Sequence, residues 1–265
     1  MKKLSLFGLL FILTLLISAC GTNTTTEEKE KGNSSGTEEK DEKVYKVGVD
    51  TTYPPFEFKE GNDYKGIDID LINAIAKDQG FTIVLSPMDF GGIIPALQAN
   101  QLDVAIAGMS ITDERKKVVD FSEPYFDAGL TVVVNKDNTT VKSVDDLKGK
   151  TVAVKKGTTG AKYAQDNAKK LGIKVVQFND SPAMFQEVSN GNAEALIEDY
   201  PVISYAITQK ELGLQIVGDR LNGDQYGIAV LKGKNQELLE QINKGLANLK
   251  ENGTYDEILK TYLGE

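Results

Sequence analysis

Two periodicities alternate along the chain. Short apolar runs bounded by Gly, Pro, Asn and Asp predict strands over 45–49, 81–85, 104–107, 129–134, 151–154, 175–178, 195–197, 214–217 and 226–230. Between them apolar residues recur at helical spacing. Over 68–77, Ile69, Ile72 and Ile75 or Ala76 fall on one face of a helix. Further helices are predicted over 93–99, 161–171, near 182–189, after Pro201, and over 236–250 and 254–262, the last two separated by Asn252-Gly253. A short one over 143–147 has Ser143 at its cap, and Pro54-Pro55 turns the chain. Strand and helix in alternation predict an α/β fold with mainly parallel strands. A second lobe starts near 151, and the sequence carries no tandem repeat of fixed period.

The N-terminus stands apart from this pattern. Lys2 and Lys3 precede an apolar run over 4–16, too short to span a bilayer and suited to a signal peptide over 1–19. It ends in Leu16-Ile17-Ser18-Ala19-Cys20, which resembles a bacterial lipobox, where cleavage before the cysteine leaves a lipid-bearing terminus. The alternative is a plain secretory signal with an incidental cysteine. Residues 21–43 hold no apolar side chain, so with Cys20 they are expected to form a disordered tether, and order begins at Val44.

Composition removes several functions. At 265 residues the chain can bury one large core or two modest ones. One cysteine and no histidine leave no disulfide, no common zinc constellation and no Ser-His or Cys-His nucleophile pair. No metal or cofactor is expected. Losing Lys2 and Lys3 with the leader takes the net charge from −9 to −11, so phosphates would be repelled and nucleic acid is excluded as a partner.

The candidate chemistry centres on V-A-I-A-G-M-S-I-T-D-E-R-K-K, residues 104–117. A strand breaks at Gly108, offers the Ser110 hydroxyl, and leads into a helix start in T-D-E-R with Thr112 as N-cap. Bare amides attract anions and a guanidinium grips two oxygens, so this turn suits a carboxylate. The chain has 30 basic residues, yet Arg115 and Arg220 are its two arginines. Alternatively, Arg115 pairs on the surface with Asp113 or Glu114.

Three other strands end on charged or turn residues: one delivers Asp50, one Lys155 and the loop K-G-T-T-G, and one Glu198 and Asp199. Ligands of open α/β sheets bind outside the carboxyl ends of strands, and two facing sheets would bring all four ends to one cleft. Arg115 then serves a carboxylate, Asp199 and Asp50 an ammonium, and Lys155 is a further cation. Tyr53 and Phe90 flank these loops and could sandwich an aliphatic stem. Each has an ordinary alternative. The loop over 156–160 lacks the phosphate-loop pattern, the two aromatics could be core, and Asp199 could cap a helix.

Read together, V-D-T-T-Y-P-P-F-E-F, K-G-I-D-I-D-L, M-D-F-G-G-I-I-P-A-L, A-G-M-S-I-T-D-E-R-K-K, V-A-V-K-K-G-T-T-G and E-N-G-T-Y-D-E-I-L-K-T-Y resemble the polar amino-acid binding proteins of ABC importers, solute-binding family 3, and most of all their glutamine-binding members. The likeness covers 43–264. It implies a two-lobed, type II periplasmic-binding-protein fold, with lobe 1 over 44–124 and 227–265, lobe 2 over 129–222, and hinges at 125–129 and 222–226. It implies that Arg115, with the backbone of Ser110 and Thr159, clamps a ligand α-carboxylate. Asp199, the Gly108 carbonyl and the Ser110 hydroxyl would take the α-ammonium. Tyr53 and Phe90 would hold the side chain, and Asp50 and Lys155 would read a terminal carboxamide. Two positions depart from the glutamine-type pattern, which has a histidine at Glu198 and a glycine at Thr159. Glu198 would favour a cationic side chain such as arginine's, Lys155 would repel one, and a Glu198 pair with Lys155 or Lys156 would be silent. The implied product is a monomeric, non-enzymatic lipoprotein on the extracellular face of the membrane, handing a free L-amino acid, glutamine first, to an ABC permease. A basic amino-acid binder, a dehydratase-like enzyme using Glu198 or Lys155, and a sensor subunit are the competing readings.

Overall fold

The computed structural model describes residues 43–264. The expected signal peptide, the expected lipidation site Cys20 and all but the last residue of the expected tether lie outside the described residues.

The chain opens with β1 (Val44–Val49), a small three-stranded antiparallel sheet of β2 (Thr52–Tyr53), β3 (Glu57–Glu60) and β4 (Asp63–Lys65), and α1 (Ile67–Gln79). There follow β5 (Thr82–Pro87), α2 (Phe90–Gln98), β6 (Val104–Ala105), β7 (Val119–Phe121), β8 (Phe126–Asp127) and β9 (Leu130–Asn135). Next come β10 (Thr151–Lys155), α3 (Thr159–Leu171), β11 (Lys174–Phe178), α4 (Ser181–Ser189), β12 (Ala195–Asp199), α5 (Tyr200–Gln209) and β13 (Leu214–Val217). The chain closes with β14 (Gln225–Tyr226), β15 (Ala229–Leu231), α6 (Gln236–Glu251) and α7 (Thr254–Leu263).

Two five-stranded sheets carry the molecule, in the orders β5-β1-β6-β15-β7 and β11-β10-β12-β9-β13. The two orders are the same pattern. In each, three parallel strands come from successive strand-helix-strand units, a fourth (β15 or β9) runs antiparallel to them, and the edge strand beyond it (β7 or β13) runs with the first three. The sheets are therefore mixed, with all strands but one in each running the same way, as the mainly parallel pattern requires. The reason is connectivity: β15 and β9 enter the two sheets from the connecting segments, against the direction of the parallel strands. A two-stranded ribbon of β8 and β14 lies outside both sheets and joins those segments.

Local chemistry explains most boundaries. On α1, Ile67, Ile69, Leu71, Ile72, Ile75 and Ala76 are buried, and Gly80 closes the helix in the left-handed conformation. Thr158 caps α3 by accepting from the Ala161 N–H at 3.1 Å, and Asp180 caps α4 through the Ala183 N–H at 2.8 Å. Ser143 and Asp146 form a capping box on a 3-10 turn over Val144–Leu147.

Three expectations are corrected. T-D-E-R does not start a long helix: Thr112 accepts from the Arg115 N–H at 3.2 Å, but a single 3-10 turn, Arg115–Lys117, follows. Sheet pairing takes over, because Val119 is buried opposite Leu231. The predicted strand over 104–107 pairs fully only at Val104 and Ala105; Ile106 still donates to the Gly48 carbonyl, and the chain then turns away at Gly108. The run over 226–230 is split, with Tyr226 in the ribbon and Ala229 onward in the first sheet.

Candidate functional site

The four strand ends do converge. Tyr53, Phe90, Gly108, Ser110, Arg115, Lys155, Thr159 and Asp199, with Thr158, line one narrow cavity between the two five-stranded sheets. Asp50 and Glu198 sit directly behind this lining, so all ten residues singled out from the sequence are brought together.

One end is organised by Arg115, which is buried rather than paired with Asp113 or Glu114 on the surface. Its Nη1 donates to the Ser110 carbonyl at 2.7 Å and its Nη2 to the Gly157 carbonyl at 3.1 Å, so one guanidinium ties the turn after β6 to the loop after β10. Phe90, the first residue of α2, lies under the guanidinium at 5.2 Å. Burial pushes the Arg115 pKa down and Asp199 and Asp224 pull it back up; the group stays a cation, as arginine does in proteins. The Ser110 and Thr159 hydroxyls are 3.5 Å apart across the cavity.

Opposite lies Asp199 at the end of β12. It occupies the N-cap position of α5 but makes no capping bond there. Its Oδ2 instead accepts from the Tyr53 hydroxyl at 2.8 Å and from Tyr226. The Tyr53 hydroxyl is also 3.0 Å from Glu198 Oε1. It has one proton for two carboxyl groups, and Glu198 resolves the conflict by readily carrying its own: burial, and then Asp199, raise its pKa to about 7. Glu198 pairs with neither Lys155 nor Lys156. Its partners are Tyr53, the Ser181 hydroxyl at 3.0 Å and the Asp199 N–H at 2.9 Å.

The far end is occupied by a buried ion pair of Lys155 with Asp50. Asp50 is held in turn by the Thr52 N–H at 3.0 Å and hydroxyl at 2.9 Å. The Lys155 ammonium lies 4.4 Å from the centre of the Tyr53 ring and 6.0 Å from that of Phe90. The two rings thus flank a protein cation.

Two glycines make this geometry possible. Gly108 has φ +51°, and a Cβ there would come within 2.7 Å of the Tyr53 ring. Gly157 has φ +80°, and its Cβ would sit 2.9 Å from the Gly91 Cα, blocking the approach of the β10–α3 loop to α2.

Sequence reasoning missed Tyr226, Ser181, the Gly157 carbonyl and Asp224, which is half-buried beside Arg115 with one oxygen unpartnered. Tyr226 reads as a strand residue, and only the split of its run at Gly227 hints otherwise. Ser181, next to the Asp180 cap, carries no distinguishing signal.

A cation and an anion therefore face one cavity from opposite sheets, on a frame that the chain shares with known proteins. The sequence profile of the bacterial extracellular solute-binding proteins, family 3, matches residues 45–265. The chain belongs to that family. Two solved structures align with this solute-binding protein at 48% identity: an ancestral arginine-binding protein bound to arginine, with TM-score 0.79 over 83% of this chain and 97% of that one, and an ancestral arginine-binding protein bound to glutamine, with TM-score 0.77 over 84% and 98%. The arginine-binding extracellular protein ArtP of Bacillus subtilis (strain 168) is 34% identical over 263 residues, 99% of this chain and 98% of its own. The ABC transporter glutamine-binding protein GlnH of the same strain is 32% identical over 278 residues, 100% and 98%. The fold is accordingly the two-lobed type II arrangement, and the family's members are binding proteins of transporters. Among the described residues no helix is long and apolar enough to cross a membrane, and no group of three or more acidic, Cys or His side chains could hold a metal.

Proposed function

We propose that the chain is the receptor of an ABC importer and closes its lobes on a free polar amino acid, glutamine first. The observation that carries this is the placement of Arg115 and Asp199 on opposite walls of one buried cavity. A zwitterion between them has both charges paired, whereas either charge buried alone would cost several kcal/mol. Arg115, with the backbone of Ser110 and Thr159, takes the α-carboxylate. Asp199, the Gly108 carbonyl and the Ser110 hydroxyl take the α-ammonium. The side chain runs past Tyr53 and Phe90 towards Asp50 and Lys155, which together offer an acceptor and a donor with no net charge, the requirement of a carboxamide.

Arginine is the second reading, favoured by the arginine-binding relatives and by Glu198, whose ionised form adds a negative charge near the side-chain end. The lobes divide at 125–129 and 222–226, and the β8–β14 ribbon there acts as the hinge of closure. The protein is a monomer, anchored through lipid at Cys20 on the outer face of the membrane, and it returns its ligand unchanged to a permease. A thermal-shift panel of the twenty amino acids tests the reading: glutamine raises the melting temperature most, arginine next, and NMR shows no turnover. A flat panel refutes it. The largest shift with arginine selects the second reading.

A further inference from the structure

We propose that Glu57 and Asp68 share one buried proton, and that this carboxyl pair positions the Gly108 turn at the ammonium end of the cavity. Glu57 opens β3, paired in register with Tyr53, and is completely buried. Among the described residues no N–H or O–H donor reaches either of its oxygens. The group placed to bond with it is the carboxyl of Asp68, also fully buried, in the first turn of α1, which the Asp68 N–H ties beside β3 through the Phe56 carbonyl at 2.9 Å. Two carboxylates in contact with no donor between them repel; one proton turns the contact into a hydrogen bond. Asp68 is where the anion belongs. It accepts the Gly108 N–H at 2.7 Å on Oδ2 and the Tyr125 hydroxyl at 2.8 Å on Oδ1, and it sits at a helix N-terminus. Glu57 is where the proton belongs, because it has no such donors.

The groups facing Glu57 are Asp68 on α1, Asp50 after β1, Tyr125 before β8 and Lys155 on β10. Burial, Asp68 and Asp50 hold its pKa well above the ordinary carboxylate range, and Lys155 opposes them. Asp68 is itself raised to about 6 by burial, against the bonds it accepts. The third bond to Asp68, from Glu57, keeps its carboxylate in place under the Gly108 amide. It thereby fixes a turn whose φ is positive and whose Cα lies against the Tyr53 ring. Its consequence for binding rests on the Gly108 carbonyl accepting the ligand ammonium, as proposed above.

Glu57→Gln and Glu57→Leu in the full chain separate the possibilities. The carboxamide of Glu57→Gln donates to Asp68 without titrating; the isobutyl group of Glu57→Leu fills space and donates nothing. A raised folded-state pKa means that stability falls as pH rises above the unfolded value of about 4.5. Ligand-free calorimetry from about pH 5 to pH 9 is therefore expected to give a shallower fall of the melting temperature in Glu57→Gln than in wild type. The Gly108 amide keeps its hydrogen-exchange protection in Glu57→Gln and loses it in Glu57→Leu. Titration with L-glutamine and L-arginine then gives affinity within about threefold of wild type for Glu57→Gln and a loss of about tenfold for Glu57→Leu. Parallel pH profiles for Glu57→Gln and wild type overturn the shared proton, even where Glu57→Leu does not fold. Unchanged Gly108 protection in a folded Glu57→Leu overturns the positioning role. If neither amino acid binds wild type, the ligand assignment fails while the pH profile and exchange data still decide the carboxyl pair.

Discussion

At its Arg115 end the cavity presents charges that the protein has tied only to backbone carbonyls and hydroxyls, while at its Lys155 end the charges already answer one another. Arg115 donates to two main-chain oxygens and Asp199 accepts from two tyrosines, so neither has a full counter-ion among its bonded partners. Lys155 and Asp50 are each other's counter-ion. On the function proposed above, the first end is completed by an outside anion and cation, the part common to all amino acids. The second is electrically complete, so a ligand side chain there must match it or break it. Affinity should therefore depend on one end and discrimination on the other.

The largest effect is expected from Arg115→Lys. An ammonium cannot fork between two carboxylate oxygens, and two charge-assisted bonds of about 1.5–3 kcal/mol each are weakened. Affinity for glutamine and for arginine should fall by about 100-fold or more, by calorimetry, with their ratio unchanged. A changed ratio would mean that this end also reads side chains.

Lys155→Met should do the reverse. It strands Asp50 in the interior, which costs about 3–5 kcal/mol of stability in a urea titration, and most of that returns in Asp50→Asn/Lys155→Met. With the repelling ammonium gone, preference should move from glutamine toward arginine by about tenfold, as expected for one buried charge contact. A stability loss without any shift in preference would remove Lys155 from the side-chain end.

Glu198 sits between the two ends and should give a smaller, pH-dependent effect. Its folded-state pKa of about 7 lies above the unfolded value. Its contribution to stability is therefore complete below about pH 4.5 and lost as pH rises to about 7. Glu198→Gln should flatten that part of the profile. In wild type, arginine affinity should rise as pH passes through about 7 while glutamine affinity stays level, and Glu198→Gln should abolish the rise. A pH-independent arginine affinity in wild type would show that the side chain does not reach Glu198.

How far this was legible from residues alone follows the same division. Asp50, Lys155, Glu198 and Asp199 end strands whose apolar runs are unmistakable, and the strand-end rule for α/β sheets places such residues at a cleft. Arg115 stood out because arginine is rare in a lysine-rich chain. What remained hidden depends on distant pairing. Residue order alone lets Lys155 face either Glu198 or Asp50, and only the packing of β10 beside β12, with β1 across the cavity, selects Asp50. The turn after Thr112 reads as a helix start because its local signals are those of one, and sheet pairing at Val119 overrides them. Tyr226 and Ser181 act through hydroxyls on strand and helix positions that apolar patterning treats as interchangeable. The identical order of the two sheets leaves no sequence period, since equivalent strands need only be apolar.

The smallest effect is expected where the cavity opens to solvent. Glu114 and Lys162 also bridge the two halves, at 3.3 Å, much as Asp50 and Lys155 do. Their side chains, however, are 64% and 56% exposed, against 4% and 1% for the buried pair. Water and salt screen an exposed pair, and holding two long side chains offsets most of the attraction. Glu114→Ala should change ligand affinity by less than about twofold at physiological salt, with the difference shrinking further as salt is added. A larger, salt-resistant loss would mean that closure is latched at the rim of the cavity as well as inside it, and the contrast between its two buried ends would no longer suffice to explain how the lobes are held together.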